Sequence, residues 1–290
     1  VRELGFVACR HLQAGKAGRV TAAFERSVYV DFAGGFVCFA EAGSGPLNGV
    51  LEEAAGRGRI GRLVGVGDPA AADAAGVHIG GRLFLSTERA ATWRPPPPPR
   101  WTPRSLARGL GGLESAVRGR RAGDGLGVFA GGRAAARSRA ARAAAAPVAL
   151  LREWLVAAVR GEAVSAPPPV SALVGLGPGL TPAGDDFLGG AMIALHLVRA
   201  PEPAARLYGA IAAEATDGIS LAHLAAAAEG AGCAALHAAL DGVLAGDLAE
   251  MPARAAALGR IGHTSGWDAL AGAAVALRAW LRAGGAAEGI

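Results

Sequence analysis

The stretch "GLGPGLTPAGDDFLGG", residues 175–190, sets two adjacent carboxylates, Asp185 and Asp186, behind glycines and prolines at the start of an apolar segment. It has a counterpart in "GHTSGWDALAGAAVAL", residues 262–277. With Gly184 laid over Gly266, the two share a G-x-D-x-L-x-G frame in which Asp186 matches Asp268. Such a frame predicts two helix N-termini of one kind, each reached through a polar, glycine-rich loop. The first turn of a helix leaves backbone N–H groups without partners and carries partial positive charge. Two such ends facing one cleft would receive a carboxylate or a phosphate. The expected substrate-binding positions are therefore Gly177, Gly179, Thr181 and Gly184 in the first loop and Thr264, Ser265 and Gly266 in the second.

An aspartate at a helix start is ordinarily an N-cap worth about 1 kcal/mol. Only one member of the Asp185–Asp186 doublet can take the cap position, which leaves the other for chemistry. His263 is flanked by small polar residues, suits general acid–base work, and joins Asp186 and Asp268 as a candidate catalytic residue. A nucleophilic Ser265 is excluded, because "GHTSG" puts serine fourth where a nucleophile elbow needs it third. An alternative use of the acids is oxygen ligation of Mg²⁺ or Mn²⁺ by Asp185 and Asp186, with Asp268 nearby. In "TDGISLAHLAAAAEG", residues 216–230, Ser220 reads as the N-cap of a further helix.

These loops need elements to hold them. Residues 19–85 carry short β-rich runs broken by glycine: "RSVYVDF", "GGFVCFAE", "GRIGRLVGVG" and "HIGGRLFLS". "VDFAGGFVCF" predicts a hairpin closing on Gly34 and Gly35. The five prolines of "RPPPPPR" suit an extended rod and end this half. Beyond them, alanine- and leucine-rich runs such as "LREWLVAAVRG", "FLGGAMIALHLVRA" and "WDALAGAAVALRAWLRAGG" predict helices, most of them ending at glycine. The expected class is α+β: a small β-barrel or sandwich over 1–93, a proline-rich linker over 94–103, and an all-helical domain over 104–290 that carries the motifs.

Composition removes several functions. The single lysine, Lys16 in "LQAGKAGRV", has no phosphate-loop or Schiff-base setting. The net charge of +5 is carried almost wholly by arginine, an anion clamp or surface charge but not a base. Three separated cysteines without a CxxC pair argue against a disulfide framework or a structural zinc and fit a cytoplasmic protein. No stretch approaches the roughly 20 apolar residues of a membrane span. The arginine-rich region 104–142 has only Phe129 to stack on bases, so it is expected as a solvated face and nucleic acid is not an expected partner.

The first and third motifs, with "TDGISLAHLAAAAEG" between them, resemble the bacterial family typified by AllH, a subunit associated with oxamate carbamoyltransferase. "GPLNGVL", residues 45–51, is similar to that family's N-terminal segment, and Ala183 stands where the family commonly has serine. The resemblance implies a role in purine or allantoin breakdown, with a carbamoyl group passing between oxalurate and phosphate to give oxamate and carbamoyl phosphate. It also implies a small anionic metabolite as ligand and companion enzyme subunits as partners. Ser220, in the middle motif, is a further candidate substrate-binding residue. A noncatalytic scaffold or ligand-binding subunit, its motifs serving as helix caps, is the competing expectation. The Mg²⁺- or Mn²⁺-dependent enzyme is another.

Overall fold

The computed structural model describes residues 1–285 except 14, 34, 53–58, 119–123, 132–137 and 163–165. It divides between Pro95 and Pro96 into two units. In the first, the strands among the described residues are β1 (Glu3–Gly5), β2 (Ala17–Phe24), β3 (Ser27–Asp31), β4 (Phe36–Ala40), β5 (Asn48–Val50), β6 (Pro69–Ala72), β7 (Gly76–Ile79), β8 (Leu83–Ser86) and β9 (Ala91–Trp93). A short helix, α1 (Phe6–His11), follows β1. The strands form one curled, half-barrel sheet in the order β8-β7-β6-β2-β3-β4-β5-β1-β9.

The expected hairpin is β3–β4, antiparallel from Ser27 opposite Ala40 to Asp31 opposite Phe36. Its alternation buries Val28, Val30, Val37 and Phe39 against Val20, Val77 and Ile79. Of the two glycines proposed to close it, Gly34 lies outside the described residues, while Gly35 accepts a hydrogen bond from Phe32 N at 3.0 Å. The "GRIGRLVGVG" run is not a strand. Its described part holds a 3₁₀ turn, Ile60–Arg62, and buries Ile60 and Val64, a helical spacing. Gly61 lies so close to the Phe24 carbonyl that a β-carbon there would stand 1.7 Å from its oxygen.

The second unit holds α2 (Pro103–Arg118), α3 (Arg139–Val159), α4 (Ala183–Leu197), α5 (Pro201–Ile211), α6 (Gly218–Ala228), α7 (Ala234–Ala245), α8 (Met251–Leu258) and α9 (Ser265–Arg282). "LREWLVAAVRG" is only the second half of α3, which starts inside the arginine-rich region and continues through Pro147. Ser138 caps it, accepting from Ala141 N at 3.0 Å. Helix α4 buries residues round its whole circumference, among them Phe187, Leu188, Met192 and Leu195, and α9 does so over Leu270, Ala273, Ala274 and Leu277. Helices apolar on every side belong at the centre of a bundle. No helix among the described residues is long and apolar enough to cross a membrane.

Much of "RGRRAG" and "RAAAR" in the arginine-rich region lies outside the described residues. Between them, residues 124–131 are no solvated face: Leu126, Val128 and Ala130 are buried and Gly127–Gly131 forms a 3₁₀ turn.

Candidate functional site

Two glycines let α4 and α9 touch backbone to backbone. A β-carbon on Gly190 would stand 1.8 Å from the Ala269 carbonyl oxygen, and one on Gly272 would stand 1.7 Å from that of Phe187. In the G-x-D-x-L-x-G alignment, Gly190 matches Gly272 and Phe187 matches Ala269, so each copy of the motif offers the other the same contact. The two helices are related by a local approximate two-fold, the arrangement in which one patch meets its own equivalent.

The helix starts match as well. Gly184 donates its N–H to Leu176 O at 2.9 Å, and Gly266 donates to Ile261 O at 3.4 Å. Each lies where a β-carbon would strike a carbonyl of the preceding turn, that of Leu173 at 1.9 Å or Leu258 at 2.4 Å. Asp186 and Asp268 both fall on the fourth residue of their helices. The first loop reaches its helix through Gly175, Gly177 and Gly179, at φ of 71°, 116° and 100°. These are backbone positions that glycine alone takes freely. Neither aspartate of the doublet is a cap: Pro182 holds that position and both acids lie inside the first turn.

The two loops meet at their hydroxyls. Thr181 Oγ1 and Ser265 Oγ are 3.2 Å apart, and both hydroxyls hydrogen-bond the Asp186 carboxyl. Burial pushes Asp186 up to about 8, with the neighbouring charges of Asp268 and Asp185 adding to the rise and the two hydroxyls opposing it. At neutral pH this carboxyl is an uncharged acid that can donate a proton, and it does not repel an anion.

Asp268 is fully buried. Its Oδ1 accepts from Leu126 N, and Gly127 N and the Thr264 hydroxyl also bond its carboxyl. Burial outweighs these donors and the nearby charge of His263, leaving it raised to about 6. Gly125 makes the approach possible, since a β-carbon there would stand 2.3 Å from Asp268 Oδ1. Thr264 sits at the cap position of α9 but bonds Asp268 and makes no side-chain cap. The Oδ2 atoms of both Asp186 and Asp268 are buried and have no hydrogen-bond partner.

Asp185 has another task. It accepts from Gly175 N at 2.7 Å, from Ser220 Oγ at 2.6 Å and from the Thr216 hydroxyl, tying the first loop to the start of α6. Ser220 is not the N-cap of α6. Asp217 is, accepting from Ile219 N at 2.8 Å, and Ser220 falls inside the first turn with its hydroxyl turned to Asp185. Among the described residues no group of three or more His, Cys, Asp or Glu side chains is arranged to hold a metal ion. Asp185 faces α6 donors and Asp268 faces the amides of 126–127, so with Asp186 they do not make the cage a Mg²⁺ or Mn²⁺ site needs.

Thr181, Asp186, Thr264, Ser265 and Asp268 thus come together, with Gly184 and Gly266 beneath them as packing positions. His263 is exposed at the rim, as is Gly179, while Gly177 is half-buried. Four contributing residues were given no part in the site by the sequence. The amides of Leu126 and Gly127 come from the arginine-rich region, where the apolar "LGVFAG" between charged flanks was the available signal. Thr216 is bound to Asp185. Cys233, at the start of α7, lies within electrostatic reach of Asp186, its thiol pushed up by burial.

Residues 173–277 match the model of a family described as oxamate carbamoyltransferase subunit AllH. The matched stretch contains all three C-terminal motifs and both acids, and it associates this part of the chain with a subunit of that enzyme; residues 45–51 and 126–127 fall outside it. No curated protein and no solved structure matches.

Proposed function

We propose that the chain is a subunit of a carbamoyltransferase acting on small anions, oxamate or oxalurate with carbamoyl phosphate, and that its share of the site lies between the N-termini of α4 and α9. The observation that carries this reading is the meeting of Thr181, Ser265, Asp186 and Asp268 inside the stretch that matches the AllH family. The N–H groups of residues 184–186 and 266–268 are taken by carbonyls of the preceding turns, so what suits a carboxylate or phosphate is the hydroxyls of Thr181, Thr264 and Ser265 at the positive ends of two helices. In the transfer, a phosphate oxygen attacks the carbamoyl carbon of oxalurate, the C–N bond breaks, and the departing nitrogen takes a proton to leave as oxamate. Asp186, carried as an uncharged acid, can supply that proton, with exposed His263 exchanging protons with solvent. Companion subunits complete the site, and the setting is cytoplasmic purine breakdown.

A scaffold reading is favoured by one observation: Asp185 is bound wholly to protein donors and serves the architecture. The two readings part in a thermal-shift screen of carbamoyl phosphate, oxamate, oxalurate and phosphate, because a ligand that binds the native state raises its melting temperature. The transferase reading expects a shift with at least one of them that Asp186→Asn reduces. A chain indifferent to all four is a scaffold.

A further inference from the structure

We infer that Arg278 is a positioning residue of the site: it holds the far end of residues 126–131 and so keeps the amides of Leu126 and Gly127 against the Asp268 carboxyl. Counting Asp268 as a site acid rests on the reading proposed above; the contacts that hold it do not. At one end of the segment Leu126 N donates to Asp268 Oδ1, and Gly127 N also bonds that carboxyl. At the other end the Arg278 guanidinium donates through Nη2 to Ala130 O at 2.6 Å and through Nη1 to Phe129 O at 3.5 Å. Helix α9 thus supplies an acid for the amides and a cation for the carbonyls. Arg278 and residues 126–131 all lie outside the stretch that matches the AllH family.

The segment is short enough for one end to govern the other. Gly127–Gly131 is a 3₁₀ turn, and Phe129 N donates to Leu126 O at 3.0 Å as it begins. At about 2 Å of rise per residue, the steps from 126 to 130 cover roughly 8 Å. The turn lies directly on the start of α9, where a β-carbon on Gly127 would stand 2.9 Å from Trp267 Cβ. The Phe129 ring meets Phe187 edge-on with 6.2 Å between centroids, so the segment also touches α4 one residue beyond Asp186. Apolar contacts of this kind are non-directional, whereas hydrogen bonds weaken steeply with angle and fix where each end sits.

Arginine suits this task better than a neutral donor. Charge-assisted hydrogen bonds are roughly twice as strong as neutral ones, and a guanidinium keeps its proton in a protein. Burial lowers the Arg278 pKa, with Glu114 of α2 opposing the shift and Arg282 of α9 adding to it. The charges near Asp268 are Asp186 of α4 and His263. Between Asp268 and Arg278 lies about 15 Å of helical rise, more than a Debye length at physiological salt, so the hold on the segment is the stronger link between them.

Amide hydrogen exchange and an NMR titration of the carboxyl groups test this on the full chain, with Asp268→Asn identifying the Asp268 signal. Arg278→Met keeps the apolar stem and removes the donors. It is expected to speed exchange at Leu126 and Gly127 roughly tenfold or more and to raise the Asp268 midpoint by about one pH unit, as losing hydrogen bonds does to a carboxylate. Arg278→Lys restores a cation and a donor and is expected to recover most of both effects, which a mere loss of packing would not allow. A folded Arg278→Met with wild-type amides and a wild-type midpoint would overturn the inference. Should that variant fold poorly, the wild-type chain decides: the Arg278 side-chain N–H signals should move as Asp268 titrates and stay still in Asp268→Asn, and signals indifferent to that titration would overturn it. No ligand enters these measurements, so a chain that ignores carbamoyl phosphate in the thermal-shift screen defeats the transferase reading and leaves this result standing.

Discussion

Adjacent glycines in α4 should respond to alanine with opposite signs. At Gly190 the new β-carbon would stand 1.8 Å from the Ala269 carbonyl oxygen, and contacts under 3.0 Å do not persist, so α4 and α9 must part by more than an ångström. A gap of 0.5–1 Å already forfeits a quarter to a half of the dispersion well for the atoms along a contact. The crossing is the centre of the bundle, so the cost lies at the upper end of overpacking, about 3 kcal/mol, offset by about 1 kcal/mol of helix propensity. The net loss of about 2 kcal/mol should lower Tm by roughly 4–8 °C for a domain of this size. Gly189 has only Ala227 Cβ at 3.6 Å and Leu224 Cδ2 at 3.8 Å near the new atom, ordinary contacts. There the propensity gain stands alone, and Gly189→Ala should be neutral or raise Tm by roughly 2–4 °C. Thermal melts of the two variants beside wild type measure both. If Gly190→Ala melts with Gly189→Ala, the helices do not meet backbone to backbone and their local two-fold loses its basis.

Two further perturbations separate architecture from chemistry. Asp185→Ala strips the acceptor from Gly175 N, Ser220 and Thr216 at once, and leaving the buried Ser220 hydroxyl unmatched should cost about 1–3 kcal/mol in urea unfolding, whether or not ligand is present. A variant as stable as wild type would show the tie to be unimportant. Protonation gives the second: Asp186 is raised to about 8 and Asp268 to about 6, both above the value of about 3.9 for a free aspartate. The folded chain therefore holds more protons than the unfolded one over that window, and these acids make stability fall as pH rises from about 4 towards 8. Asp186→Asn removes the larger share, so its stability relative to wild type should climb between about pH 4 and 8 and level off above that. Urea midpoints across that range check it, and a constant difference would mean that Asp186 ionises normally.

How much of this could be read beforehand depends on whether the signal was local. The repeated G-x-D-x-L-x-G frame is a local pattern, and it led to both helix starts because glycine at the second helical residue is what the close turn beneath it demands. The β3–β4 hairpin was legible for a similar reason, its alternation and its turn lying next to each other in the chain. Residues 58–67 misled because valine and leucine suggest a strand, whereas the approach of Gly61 to Phe24, a tertiary contact, bends the described part into a 3₁₀ turn. Capping went wrong in the same way. Ser220 looks like a cap on its own, but Asp217 stands one residue before the helix and takes the position, which frees the serine for Asp185.

The least legible feature bears most on chemistry. Asp268 and Asp186 share a frame, yet their surroundings differ: one is held by the backbone amides of residues 126–127, the other by the hydroxyls of Thr181 and Ser265. Backbone amides have no letter in a sequence, and the arginines flanking 126–127 drew attention to charge. Because Asp268 keeps more donors than Asp186, its carboxyl is raised less, and that asymmetry comes from outside the repeat. A symmetric pair of motifs thus becomes an asymmetric site through a third segment, and Gly125, where only a missing side chain admits the carboxylate, is the residue on which that asymmetry depends.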